Sequence, residues 1–154
     1  MAKPYAILFK KSKNNASVVD TLSNWSIVCK DFPFKLYGEA KELAKNNWKD
    51  EDGDDEYIPS EIRIEAYEIK VDFAYKGEMN SANSSIRGFL DYLTGKDGTG
   101  ADLMVYDTYT KIGRKNVRYV SVDEDLFYRQ EADGDLIVFS VTFKVNDPVT
   151  DITL

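Results

Sequence analysis

Apolar and polar residues alternate with a period of two along much of the chain, the pattern of strands that bury one face. The strongest alternation covers residues 61–76, and its second half places five apolar residues on one face: Tyr67, Ile69, Val71, Phe73 and Tyr75. Before Tyr67 the apolar phase is carried by Ile62, Ile64 and Ala66 instead. The buried face therefore switches between Ala66 and Tyr67, which predicts a β-bulge or bend there.

Shorter alternations predict further strands. They cover residues 4–10, 24–30, 103–109, 116–122, 125–130 and 136–146, with a short run ending at Tyr37. A polar stretch at 11–15 follows the first of them, and Ile112-Gly113 is predicted to turn the chain. Asp133-Gly134 predicts a hairpin, because both residues tolerate positive φ. The strands after residue 103 then form a β-meander.

One segment has helical periodicity. Over residues 80–94 the apolar side chains Ile86, Phe89, Leu90 and Leu93 form a stripe, and Gly95 provides a stop before the flexible connection 95–100. Seven or eight strands with one helix predict a single α+β domain over residues 1–154, mainly β. The expected architecture is a β-sandwich or a half-open barrel with the helix flanking one side.

Residues 38–60 are predicted to form an extended acidic loop. Around Gly53 stand six carboxylates, which repel one another and favour a solvated turn: Asp50, Glu51, Asp52, Asp54, Asp55 and Glu56. The ligand spacing of a calcium-binding loop is partly matched by Asp50, Asp52, Asp54 and Glu61. The glycine, however, occupies the fourth position of that loop where the sixth is needed, so we favour a loop that faces a partner.

Composition narrows the function. The net charge is −7 with a pI near 4.7, which argues against a protein whose main function is to bind nucleic acid. No apolar run approaches the roughly 20 residues that span a bilayer, no secretory signal is evident, and synthesis in the cytoplasm is expected. Cys29 is the single cysteine and is expected in the core. The absence of histidine removes the usual nucleophile systems and zinc sites, so neither an enzyme nor a cofactor is predicted.

The basic side chains concentrate in one place, formed by Lys111, Arg114, Lys115 and Arg118. With tyrosines nearby, this cluster has the ingredients to bind single-stranded nucleic acid by stacking and charge. The acidic balance of the chain instead favours a salt-bridging surface between subunits, where the acidic loop of a neighbour meets a basic hairpin tip.

Several sequence phrases carry a family resemblance. They are Trp48-Lys49-Asp50-Glu51-Asp52-Gly53-Asp54-Asp55, Tyr57-Ile58-Pro59, Ala66-Tyr67-Glu68-Ile69 with Phe73, Tyr75, Lys76 and Gly77, Phe89-Leu90-Asp91-Tyr92-Leu93, Tyr106-Asp107-Thr108-Tyr109-Thr110-Lys111, and the stretch 139–145 followed by Asp147-Pro148. Over residues 48–152 they resemble phage tail proteins of the distal tail and tail-tube type, especially those of Bacteroidetes phages and prophages.

The resemblance implies a structural component of the virion tail. It implies a β-sandwich with a flanking helix, copies assembled in a ring of six, and stacking on neighbouring tail proteins. The acidic charge and the short apolar runs separately predict no membrane partner and no sequence-specific nucleic-acid binding. Three alternatives remain open. The first is a head-tail connector or neck protein, and the second is a small carbohydrate- or ligand-binding β-sandwich that uses Trp25 or Trp48. An enzyme with an unrecognised pair of acids is the third and least favoured.

Overall fold

The computed structural model describes residues 6–12, 16–29, 32–130 and 134–154. Its main sheet contains β1 (Ile7–Lys11), β2 (Val19–Asp20), β3 (Ile27–Cys29), β6 (Tyr67–Tyr75), β7 (Leu103–Asp107), β8 (Ile112–Gln130) and β9 (Gly134–Val145). A separate pair is formed by β4 (Lys45–Asn46) and β5 (Asp55–Glu56), and the helices are α1 (Thr21–Trp25) and α2 (Ala82–Thr94), the latter preceded by a 3₁₀ turn at Met79–Ser81.

The main sheet is antiparallel, in the order β2-β1-β7-β8-β9-β6-β3, and curls into a half-barrel. The expected α+β, mainly β class is therefore confirmed, and of the two expected architectures the half-open barrel describes it. The last three strands form the predicted meander. The inward face of β6 alternates as expected, and β6 pairs along its whole length with β9, from Tyr67 opposite Val145 to Tyr75 opposite Ile137.

The core lies between the concave face of the sheet and α2. Phe89 of the helix is fully buried and meets Phe73 and Phe9, with ring centroids 5.2 and 5.9 Å away. The helix ends at Gly95 as predicted, in the left-handed conformation with φ of 79°. Cys29 is buried, as expected.

One helix was missed. In α1 the side chain of Asp20 accepts hydrogen bonds from the backbone N–H groups of Leu22 and Ser23 at 2.8 and 3.4 Å, and Ser26 closes the turn with φ of 58°. A helix of five residues is too short to show a periodic stripe. It still places Trp25 against α2, 5.2 Å from the ring of Phe89.

The strand expected at 24–30 is shortened to β3, because α1 runs to Trp25. One further strand, one turn and one strand break were also predicted wrongly. The run ending at Tyr37 is not a strand: Phe32 and Phe34 stack on each other at 4.6 Å. The turn expected at Ile112-Gly113 lies at residues 108–111 instead, where the Asp107 carboxylate accepts from the N–H of Tyr109 at 2.9 Å, so that Ile112 already belongs to β8. The two strands expected within 116–130 are one.

Irregular pairing explains why β8 is continuous. Its register against β9 shifts between Tyr119 and Ser121 and again between Asp123 and Leu126. The extra residues form bulges at the acidic segment where a strand break was predicted, and pairing with β9 continues on both sides. The strand expected over residues 61–76 covers only Tyr67–Tyr75, and in the segment before it Ile64 forms an isolated bridge with Ala40. A strand therefore begins where a bulge or bend within one strand was predicted, between Ala66 and Tyr67. The expected strand positions 4, 5 and 30 and the turn residue Asp133 lie outside the described residues; Gly134 begins β9.

Candidate functional site: an acidic arm and its anchor

Residues 36–65, here called the arm, form a long irregular hairpin. Near its base Ala40 bridges Ile64, with backbone hydrogen bonds from the N–H of Lys41 to the carbonyl of Arg63 at 2.8 Å and from Glu65 to Glu39 at 2.7 Å. Farther out, β4 and β5 pair with each other and with no other described strand. The segment expected at 38–60 as an extended acidic loop thus makes up most of a two-stranded arm, and its pairing through β4 and β5 was not predicted.

The arm contributes nothing to the core. None of its residues is buried, and Leu43, Pro59 and Ile64 are half-buried. Ten large hydrophobic residues are exposed in the described part of the chain, and six of them lie on the arm: Leu36, Tyr37, Trp48, Tyr57, Ile58 and Ile62. Apolar side chains gathered on one projecting element, instead of scattered singly, are typical of an interaction site.

The arm also holds most of the net charge. Ten acidic and four basic residues fall within 36–65, so the arm carries −6 of the −7 of the whole chain. The predicted contact residues Asp50, Asp52, Asp54 and Asp55 all lie exposed around its tip, where Gly53 turns the chain with φ of 76°. Lys45 offsets part of this charge through an ion pair with Asp54 at 3.6 Å.

The predicted basic cluster is divided by the fold. Lys111 is exposed in the turn between β7 and β8, with φ of 63°, and Arg118 is exposed on β8. Lys115 is partly covered and pairs with Asp147 at 3.8 Å. Arg114 is not on a hairpin tip at all, because its side chain is 2% exposed. Within one chain, no ion pair of the described residues joins this cluster to the acidic tip.

Arg114 instead anchors the base of the arm. Its Nη2 donates to the carbonyl of Lys35 at 3.2 Å, its guanidinium carbon lies 5.9 Å from the centre of the Phe34 ring, and its Nη1 pairs with the carboxylate of Asp151. The Tyr67 hydroxyl lies 3.2 Å from the N–H of Lys35, from which it accepts. The residues at the two ends of the arm, Lys35 and Tyr67 at the start of β6, are therefore held together.

Residues 147–154, here called the strap, supply the Asp151 carboxylate. The strap crosses β8 directly at Gly113, where an added Cβ would meet the carbonyl oxygen of Ile152 at 2.3 Å. Its first residue is Asp147. Partial burial alone would raise the pKa of that carboxyl, yet hydrogen bonds from the backbone of Thr150 and Val149, aided by the charge of Lys115, hold the pKa below its ordinary value.

No feature of the described residues assembles a reactive centre on the arm. No group of three or more described acidic or cysteine side chains converges as metal ligands would. Two clefts lie along the arm, one of them between Leu43 and Pro59, and both are open to solvent. None of the described helices is long and apolar enough to cross a membrane.

The sequence was compared with protein-family models and with curated proteins. Neither comparison finds a match.

Sequence reasoning placed the acidic tip but missed the anchor. Arg114 is close in sequence to Lys111, Lys115 and Arg118, and such a cluster of basic residues predicts a solvent-exposed patch. Nothing local in the sequence marks it as buried, because its partners Lys35 and Asp151 are 79 and 37 positions away.

Proposed function

We propose that this protein is a structural component of a phage tail, a distal-tail or tube-like ring protein that works by assembling with copies of itself. The observation that carries the assembly is the arm: a projecting hairpin with six exposed large hydrophobic residues and none buried. The placement in a phage tail is supported by the sequence phrases between residues 48 and 152. A ring of six and stacking on other tail proteins follow from that resemblance.

Burial of the arm against a neighbour supplies the driving force. Tyr57 and Ile58 are adjacent and 71% and 68% exposed. Covering each of these side chains is worth about 1–2 kcal/mol, since full burial of a large apolar side chain contributes roughly 1.5–3 kcal/mol. A few such anchors dominate the affinity of most interfaces.

Charge sets the direction of the contact. An arm with a net charge of −6 is repelled by the arm of a second copy and attracted to exposed cations. Lys111 and Arg118 are the members of the predicted basic cluster that remain exposed. The arm of one copy therefore reaches the face of the next that bears these two residues, a head-to-tail contact of the kind that closes rings.

A head-tail connector would share this assembly and differ in its neighbours within the particle. A carbohydrate-binding module is the other candidate, and one observation favours it: Trp48 and Tyr57 on the arm are 50% and 71% exposed. Saturable glycan binding by a monomer would support that candidate. Trp25 does not, because it packs on Phe89 and Tyr92.

Sedimentation velocity over a wide concentration range, with electron microscopy of any large species, tests the proposal. The wild-type chain should form a defined oligomer, and Tyr57→Ser with Ile58→Ser should weaken its formation by about thirty- to a thousandfold. The matched control is Val18→Ser with Leu22→Ser, two large hydrophobics that are 47% and 48% exposed away from the arm. A wild-type chain that stays monomeric at high concentration, or equal effects of both pairs, would contradict the proposal.

A further inference from the structure

The base of the arm is held by a buried cation whose counter-charge comes from outside the core. Arg114 is 2% exposed, whereas the side chain of Asp151, which pairs with it, is 82% exposed. Among the described residues, Asp151 provides the carboxylate within ion-pair distance of Arg114. A buried charge that loses its partner is strongly disfavoured, so the position of Arg114 depends on the strap staying in place.

The guanidinium is only partly satisfied by its surroundings. Nη1 also donates to the carbonyl of Gly113 at 3.0 Å, while the buried Nε has no hydrogen-bond partner among the described residues. An unsatisfied buried donor raises the free energy of the folded state. The contacts with Asp151 and Lys35 thus hold the side chain in place in spite of this cost.

The same guanidinium reaches the arm. Through Nη2 it holds the carbonyl of Lys35, the residue directly before the arm begins at Leu36. The Tyr67 hydroxyl lies 3.4 Å from that carbonyl, as a second and more distant donor, and Tyr67 starts the strand into which the arm returns. A shift of the Arg114 side chain therefore moves Lys35, which precedes the arm, relative to Tyr67, which follows it.

We propose that Arg114 is a positioning residue for the arm and that the strap acts on the arm through it. With Asp151 in place, Arg114 fixes Lys35 and the arm projects in one direction. With the strap displaced, the base of the arm opens while the core of the sheet stays intact. The restraint is a property of the single chain, and its consequence for assembly rests on the function proposed above.

Amide hydrogen exchange of the Asp151→Asn variant tests the restraint on the isolated chain at low concentration. The amides of Lys41 and Glu65, which close the base of the arm, should exchange about tenfold faster than in the wild type. The amide of Tyr57, bonded to Ala44 farther out, and the amides of Val71 and Val141 in the sheet should be unchanged. Asp151→Glu, which keeps the charge, should leave the base protected.

Asp123→Asn is the matched control, because Asp123 is 57% exposed and pairs with Lys70 at 3.0 Å away from the arm. Arg114→Met provides a second variant that removes the buried charge, and it should open the same two amides. Unchanged exchange at Lys41 and Glu65, or an equal increase at Val71 and Val141, would overturn the proposal. The second result would show that Asp151 stabilises the whole fold and does not position the arm.

The two proposals fail separately. If the base of the arm opens in Asp151→Asn but the wild-type chain never associates, the restraint stands and the assembly function does not. If the wild-type chain assembles and the exchange at Lys41 and Glu65 is unaltered, the assembly function stands and the role of Arg114 does not.

Discussion

The ammonium group of Lys11 donates a hydrogen bond to the backbone carbonyl of Tyr92 and lies 4.1 Å from the centre of the ring of the same residue. It also donates to the carbonyl of Gly100, and the Lys11 residue is 3% exposed. Carbonyls in the last turn of a helix lack partners within the helix. Lys11 thus ties the end of α2 and the 95–100 connection to β1.

Replacement of Lys11 by methionine should lower the free energy of unfolding by about 1–3 kcal/mol, since two partly buried carbonyls lose a charged donor. Urea denaturation followed by circular dichroism measures the change. Lys10→Met is the matched control, because Lys10 is the next residue on β1 and is only half-buried. Equal effects of the two variants would show that the contact with α2 contributes little.

The hydroxyl of Tyr92 is buried and has no hydrogen-bond partner among the described residues. Tyr92→Phe should therefore leave stability at neutral pH unchanged or raise it, because an unsatisfied polar group is removed. Tyr75→Phe makes the opposite comparison, since the Tyr75 hydroxyl donates to the carbonyl of Glu78 at 2.8 Å. That variant should lose about 1 kcal/mol in the same urea experiment.

Stability should fall in strong alkali. Burial, with a smaller contribution from the charge of Asp97, raises the pKa of Tyr92 from 10.0 to about 12. A raised pKa in the folded state means that the stabilisation is fully present below pH 10 and is lost as the pH rises towards 12. The loss is on the order of 2 kcal/mol at about 1.4 kcal/mol per unit. Urea midpoints between pH 9 and 12 should fall less in Tyr92→Phe than in the wild type.

The sequence pattern correctly predicted those elements in which apolar residues recur at a regular spacing over many residues. In β6 and β9 every second residue is apolar over most of the strand, and α2 repeats its stripe until Gly95, so burial alone selects one arrangement. The pattern failed where local chemistry or distant contacts decide. Phe32 and Phe34 are apolar but stack on each other outside any strand, with Phe32 buried against Phe143 of the sheet. Helix α1 depends on a single capping residue, Asp20.

Charge misled the prediction at two residues that were expected to be exposed and are buried. Lys11 continues the inward phase of Ile7 and Phe9, yet its charge assigned it to the polar stretch 11–15. Arg114 was placed with its exposed neighbours for the same reason. Both are buried because carbonyls or a carboxylate from segments far along the chain satisfy them, and no local pattern encodes such partners.

Burial of the arm against a second copy can be measured by hydroxyl-radical footprinting at rising protein concentration. Trp48 and Tyr57 should become protected as the oligomer forms, whereas Leu22, exposed to a similar extent as Trp48 but outside the arm, should stay reactive. An oligomer in which Trp48 and Tyr57 remain as reactive as in the dilute chain would contradict the account.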